Sequence, residues 1–200
     1  MGQLLPSGTD RILVTGGAGF IGGAVVRRLL RDSGATVFNL DKCGYASDLA
    51  GIEQELAALG SAAEGPGGPR HQLLRVDLVD GAATAEAVRR ADPDLVLHLA
   101  AESHVDRSIE GPRAFIESNV TGTFQLLQAV RAHWEQLPPE RAARFRFHHI
   151  STDEVFGSLG PQGRFSETTP YDPRSPYSAS KAASDHLVSA WHHTYGLPVV

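Results

Sequence analysis

The chain has 200 residues, 42% of them hydrophobic and 20% charged, with a formal net charge of -5 at pH 7, a composition able to bury a core and unlike that of a disordered tail. The acidic balance and the lack of a Lys/Arg stripe argue against nucleic acid as a partner. No stretch approaches the ~18–20 apolar residues that span a bilayer, so no membrane partner and a cytoplasmic location are expected.

The first residues, Met1 to Arg11, carry no charged segment followed by an apolar one. Gly2 with Ser7 imitates a myristoylation pattern, but the serine falls one position late and no basic run supports it. From Arg11 onward, short β-branched or apolar runs alternate with helical patterns, the signature of βαβ units and a parallel sheet. Strands are expected at Arg11 to Thr15, Thr36 to Leu40, Gln72 to Val76, Leu95 to Leu99 and Phe145 to Ser151. Helices are expected at Phe20 to Arg31, Ala82 to Arg90, Phe115 to His133 and Pro176 to Tyr195, with a shorter one over roughly Leu49 to Leu59. The Gly/Ala/Pro-rich stretch Ala58 to Pro69 reads as an exposed loop. The expected fold is therefore α/β, a Rossmann-like doubly wound parallel sheet, with residues 1–200 forming one NAD(P)-binding domain.

The first strand runs into Gly16-Gly17-Ala18-Gly19-Phe20-Ile21-Gly22 and then a helix, which puts a GxxGxxG motif at a strand-to-helix turn. Gly16 suits the tight turn, Gly19 lets backbone N–H groups approach a pyrophosphate, and Gly22 lets helix and strand pack closely. Phe20 and Ile21 join them as expected cofactor contacts. Asp41 follows about 20 positions downstream, where a carboxylate accepts from an adenosine ribose. That carboxylate repels a 2′-phosphate and so favours NAD over NADP, although Lys42 beside it offsets part of the repulsion. Cys43, the one cysteine, has no companion for a disulfide or metal site, which suits a reducing compartment. Asp77 and Leu78, after the third strand, are expected at the adenine edge. Leu99, Ala100 and Ala101, after the fourth, are expected beneath the cofactor, with plain helix–sheet packing the alternative for the two alanines.

Tyr177 and Lys181 are four apart on one helix face. A nearby ammonium favours a phenolate, so this pair is expected to bring the tyrosine below its usual pKa of about 10 and let it take a proton from a hydroxyl. Thr152, Asp153 and Glu154 fall at the carboxyl end of the fifth strand, where ligands bind in parallel sheets. His148-His149 and His192-His193 invite a metal reading, but adjacent residues on a strand or helix point apart, so no metal is expected.

Thr152-Asp153-Glu154, the downstream Ser-Pro-Tyr-Ser-Ala-Ser-Lys, and the segments His98 to Ser108 and Arg174 to His186 together resemble the nucleotide-sugar 4,6-dehydratases. These are extended short-chain dehydrogenases/reductases, and the likeness is strongest to those acting on dTDP-glucose. It runs from about Arg11 to Val200. The resemblance implies bound NAD as a recycled hydride carrier and dTDP-glucose as substrate, yielding the 4-keto-6-deoxy sugar and water. It assigns Tyr177 to the C4 hydroxyl proton, Glu154 to the C5 proton and Asp153 to protonation of the departing C6 hydroxyl. It also puts Thr152 and Ser103 on the sugar and Ser118 beside the nicotinamide, and implies a homodimer through the two long helices. Asn119 and Arg107 read as holding loop and helix geometry, and His104 as either structural or substrate-facing. Competing readings are a UDP-, GDP- or CDP-sugar epimerase or dehydratase, or a truncated NAD-binding protein without activity. Gly196-Leu197-Pro198-Val199-Val200 closes a helix and begins another strand, so the C-terminal substrate lobe is expected to be missing from this chain.

Overall fold

Five strands, β1 (Arg11–Thr15), β2 (Thr36–Asp41), β5 (His71–Arg75), β6 (Leu95–His98) and β7 (Arg146–His149), pair in parallel in the order β5-β2-β1-β6-β7. The computed structural model describes residue 5 and residues 8–200, so Gly2 and Ser7 lie outside the described residues. The helices are α1 (Phe20–Asp32), α2 (Ala50–Leu59), α3 (Gly81–Ala91), α4 (Val105–Glu110), α5 (Pro112–Phe115), α6 (Gly122–Trp134), α7 (Pro139–Arg144) and α8 (Pro176–Tyr195). The doubly wound sheet expected from the alternating pattern is present.

Strand alternation sorts the core into two layers. Ile12, Val14 and Val37 pack with Val26 and Leu30 of α1 and Ile52 of α2. Leu13, Phe38, Val96 and Phe147 face the other way, against Val88 of α3, Leu126 and Val130 of α6 and Val188 of α8. Each such side chain withdrawn from water contributes roughly 1.5–3 kcal/mol. With both faces covered, the strands read as apolar runs instead of alternating ones.

Chain order leaves β1 toward β2 and β5, then returns to β6 and β7 on its other side. The connections therefore diverge at the carboxyl ends of β1 and β6 and open a crevice there, the place where such sheets bind ligands. α8 begins with a capping box: Ser175 Oγ accepts from the Ser178 amide, Ser178 Oγ accepts from the Ser175 amide, and Pro176 starts the helix. It ends at Gly196, whose φ of 74° closes the final turn.

Three expectations need correction. Phe115 to His133 is not one α-helix: α5 runs into a π-helical turn at Ile116–Thr121 before α6 begins. The wider turn turns Asn119 inward, where its side-chain oxygen accepts from the Glu102 amide and its nitrogen donates to the Glu102 carbonyl and to Ser180 Oγ. The stretch after α2 is not plain loop, because Gly60–Ala63 forms a 3-10 turn and β3 (Glu64–Gly65) pairs antiparallel with β4 (Gly68–Pro69). The buried Arg70 organises this corner by donating to the carbonyls of Leu30, Ser33, Ala35 and Ala62. The fifth sheet strand is shorter than expected, ending at His149. Beyond Gly196, Val199 bridges Phe147 in parallel and the Val200 amide donates to the Phe147 carbonyl, so a further strand begins as expected.

Candidate active site

A cavity of about 380 Å³ occupies the crevice. Its lining includes the predicted cofactor contacts Gly16, Gly19, Phe20, Ile21, Gly22, Asp41, Lys42, Asp77, Leu78, Leu99, Ala100, Ala101, Ser118, Tyr177 and Lys181, together with Ser103. These residues are scattered over the chain but share one cause. Each lies in or just after the carboxyl end of a strand, in the glycine turn and the start of α1, in the π-helical turn, or on the first turns of α8. Thr152, Asp153 and Glu154 are not part of this lining, which reaches only Ser151. They begin a 3-10 turn at Asp153–Phe156, with the Thr152 hydroxyl capping it by accepting from the Glu154 amide.

The glycine turn is shaped for close approach. Gly16 has φ 72°, and a Cβ there would lie 2.7 Å from the Ala100 backbone, so the small residues after β6 and the glycine after β1 fit one another. A Cβ on Gly22 would collide with the Gly16 carbonyl oxygen. Gly19 caps α1 and presents the helix start to the cavity, and Phe20 is 94% exposed beside it. Asp41 accepts from the Ala18 amide through Oδ2 at 3.0 Å, and from the Cys43 amide and Ser47 hydroxyl through Oδ1. Its carboxylate thus ties the glycine turn to the loop after β2 as well as facing the cavity.

Lys42 pairs with Glu102 at 2.8 Å. Burial alone lowers its pKa, but the Glu102 hydrogen bond and the Glu102, Asp77 and Asp41 charges outweigh burial and leave it raised. Arg107 stacks 3.8 Å from the centre of the Tyr45 ring, which agrees with the structural part expected of it. Because β2 and β6 lie on either side of β1, these two contacts join the loop after β2 to the loop and helix after β6, across the end of β1. His104 caps α4 without a side-chain hydrogen bond.

Tyr177 and Lys181 are both buried on α8. Lys181 Nζ donates to the Ile150 carbonyl at 2.7 Å, and burial, only partly opposed by Asp185, lowers its pKa to about 8. Tyr177 departs from expectation. Burial raises its pKa, and the Glu154, Asp153 and Asp185 charges add to the rise, while a hydrogen bond with Thr152 opposes it. Burial and the three carboxylate charges together hold the phenol above its ordinary range.

Sequence reasoning missed Glu102, Tyr45, Ser151 and Asp185. Asp185 had one available signal, its position one helical turn beyond Lys181. Glu102 and Tyr45 gave none, since each is defined by a partner on another loop. Among the described residues no group of three or more His, Cys, Asp or Glu could hold a metal, and no helix is long and apolar enough to cross a membrane.

Comparison with known proteins adds to this geometry. A dTDP-glucose 4,6-dehydratase of Xanthomonas campestris pv. campestris (strain B100) is 56% identical over 188 residues, covering 94% of this chain and 50% of the relative. The dTDP-glucose 4,6-dehydratase 1 of Escherichia coli (strain K12) is 49% identical over 95% of this chain and 52% of its own length. The chain thus spans about half the length of the curated relatives it matches. A crystal structure of a dTDP-glucose 4,6-dehydratase from Streptomyces venezuelae, solved with NAD bound, superposes with a TM-score of 0.76 at 41% identity, over 94% of this chain and 53% of that one. A UDP-glucose 4-epimerase of Thermus thermophilus in complex with NAD gives 0.74 at 34% identity, over 94% and 53%. The family model for GDP-mannose 4,6 dehydratase matches residues 13–200, from within β1 through the glycine turn and the Tyr177–Lys181 helix, and the chain belongs to that family.

Proposed function

We propose that the chain binds NAD and carries the acid–base residues of a dTDP-glucose 4,6-dehydratase. The carrying observation is that Tyr177 and Lys181 line the same crevice as the glycine turn and Asp41, and that Thr152, Asp153 and Glu154 directly follow Ser151 of that lining, with the Glu154 and Asp153 charges felt at the Tyr177 phenol. The relatives named for that reaction, about half of each being covered, support the same reading.

The crevice fits a dinucleotide. A Cβ at Gly16 or Gly22 would close the turn, and Gly19 leaves the α1 N-terminus open to a pyrophosphate. Gly16, Gly19 and Gly22 with Phe20 and Ile21 would hold the pyrophosphate side, Asp41 and Lys42 the adenosine ribose, and Asp77 and Leu78 the adenine. Leu99, Ala100, Ala101, Ser118, Tyr177 and Lys181 would line the nicotinamide end. Asp41 favours NAD over NADP. When bound, NAD supplies reversible hydride acceptance.

Within this reading, Tyr177 would take the C4 hydroxyl proton as a phenolate, a form that burial disfavours and that the cationic nicotinamide of bound NAD would favour, while Thr152 and Ser103 orient the sugar. The ketone at C4 makes the C5 proton acidic, and Glu154 removes it. Asp153 donates a proton to the C6 hydroxyl so that it leaves as water. Lys181 holds positive charge beside Tyr177 from its place on the Ile150 carbonyl. Asp153 is exposed while Glu154 is partly buried, so the two adjacent carboxyl groups meet different surroundings.

Turnover of dTDP-glucose in heavy water tests the assignment. A 4,6-dehydratase leaves one solvent deuterium at C5; a C4 epimer with unlabelled C5 would refute it in favour of an epimerase, and tight NAD binding without turnover would favour a binding protein. The reading extends to residues 1–200 as one dinucleotide-binding domain, to a cytoplasmic reaction and to a homodimer. The dimer is supported by the contiguous Phe124, Trp191 and Tyr195 on α6 and α8, with Phe124 and Tyr195 exposed. A monomeric mass by light scattering would exclude it.

A further inference from the structure

We propose that Asp185 is a positioning residue for the Tyr177–Lys181 pair, acting by clamping the end of β7 and the segment before α8 onto the helix that carries both groups. The inference rests on the catalytic reading of Tyr177 and Lys181. Asp185 lies one helical turn beyond Lys181. Its Oδ1 accepts from His149 Nε2 at 2.9 Å, and its Oδ2 accepts from Ser151 Oγ at 2.5 Å and from the Tyr171 hydroxyl at 2.9 Å. The first two donors flank Ile150, whose carbonyl is the acceptor for Lys181 Nζ. One carboxylate therefore fixes both neighbours of the peptide group that holds the ammonium.

The third donor extends the clamp. Tyr171 packs edge-on against Phe156, and the Asp172 amide donates to the Val155 carbonyl, so the residue Asp185 grips is tied to the 3-10 turn bearing Asp153 and Glu154. His149 is oriented by this carboxylate, since its buried Nδ1 has no hydrogen-bond partner among the described residues. The clamp is dry on its His149 side, where the His149 and Asp185 side chains are 6% and 10% exposed, while Ser151 and Tyr171 at the other oxygen are exposed.

The charges that meet here come from every packed element. Lys181 faces Asp185 on its own helix, His98 from β6 and His149 from β7. Tyr177 faces Glu154 and Asp153 from the 3-10 turn, as well as Asp185. Burial pushes His98 and His149 below the ordinary histidine range, so both stay neutral near pH 7. Asp185 is then the carboxylate that favours the Lys181 ammonium, and the same charge disfavours the Tyr177 phenolate. Removing it lowers the proton affinity of both groups.

The test is steady-state turnover of dTDP-glucose with NAD by the protein carrying Asp185→Asn, followed against pH. Asp185→Asn should lower kcat at least tenfold, leave KM for the sugar nucleotide within twofold, and move both limbs of the pH profile toward acid. Asp185→Glu should bring the limbs back. A profile merely scaled down, or limbs that Asp185→Glu fails to restore, would overturn the proposal. Where circular dichroism shows Asp185→Asn unfolded, Tyr171→Phe decides: a twofold to fivefold loss of kcat with unmoved limbs supports the clamp, and an unaltered kcat overturns it. Tyr177→Phe separates the two levels, because undiminished turnover there would sink the catalytic reading itself.

Discussion

Lys181→Met should make the protein more stable at pH 7 while abolishing turnover. Lys181 is 5% exposed, and its pKa falls from the ordinary 10.5 to about 8. A shift of about 2.5 units corresponds to roughly 3.4 kcal/mol of folding energy lost in holding the ammonium out of water. Methionine fills similar space without that cost but leaves the Ile150 carbonyl unpaired, which offsets about 1–2 kcal/mol of the gain. The expected net gain is about 1–2 kcal/mol. Its pH dependence carries the sharper signature: a lowered lysine pKa means the unfolded chain binds the extra proton between about 8 and 10.5, so wild-type stability rises with pH across that window. The advantage of Lys181→Met should therefore be full below pH 8 and shrink by about 2 kcal/mol by pH 9.5. Urea unfolding of both proteins at pH 7 and pH 9.5 measures the difference. A Lys181→Met protein less stable than wild type at pH 7, or a gap that does not change with pH, would refute the reasoning.

Three further outcomes follow from the same geometry. Glu154→Gln should cut solvent deuterium incorporation at C5 by about 10²-fold or more, whereas Asp153→Asn should keep that exchange and slow loss of water; mass spectrometry of recovered sugar nucleotide distinguishes them. Gly22→Ala forces a Cβ into the Gly16 carbonyl and should cost about 1–3 kcal/mol along with at least a tenfold loss of NAD affinity; calorimetric titration giving wild-type affinity would contradict the close packing. Arg70→Met strands four backbone carbonyls and should lower unfolding free energy by about 3 kcal/mol, a urea midpoint shift equivalent to under 1 kcal/mol being the opposing result.

The glycine turn, Asp41 and the Tyr177–Lys181 spacing were legible because each is a local pattern read within a strand-to-helix turn, a strand end or one helix. The break in the Phe115 to His133 segment was not, since its apolar spacing continues through the π-helical turn and what fixes Asn119 there is Glu102 and Ser180, distant in sequence. The direction of the Tyr177 shift was equally hidden. Four-residue spacing announces the lysine, but burial and three carboxylates, two of them on another element, decide the phenol's proton affinity. Likewise the partners of Asp185 arrive from β7 and from the segment before α8, which no helical periodicity encodes.

The Lys42–Glu102 pair and the Arg107–Tyr45 stack give the crevice a toll on passage. An exposed ion pair contributes up to about 1 kcal/mol, and a cation over an exposed ring about 0.5–1 kcal/mol. Parting both costs about 0.5–2 kcal/mol, a retardation of roughly twofold to thirtyfold for a dinucleotide entering or leaving between those loops. On the dehydratase reading proposed above, in which the hydride carrier would be regenerated in every cycle, such slow exchange would lengthen the residence of the carrier across many turnovers.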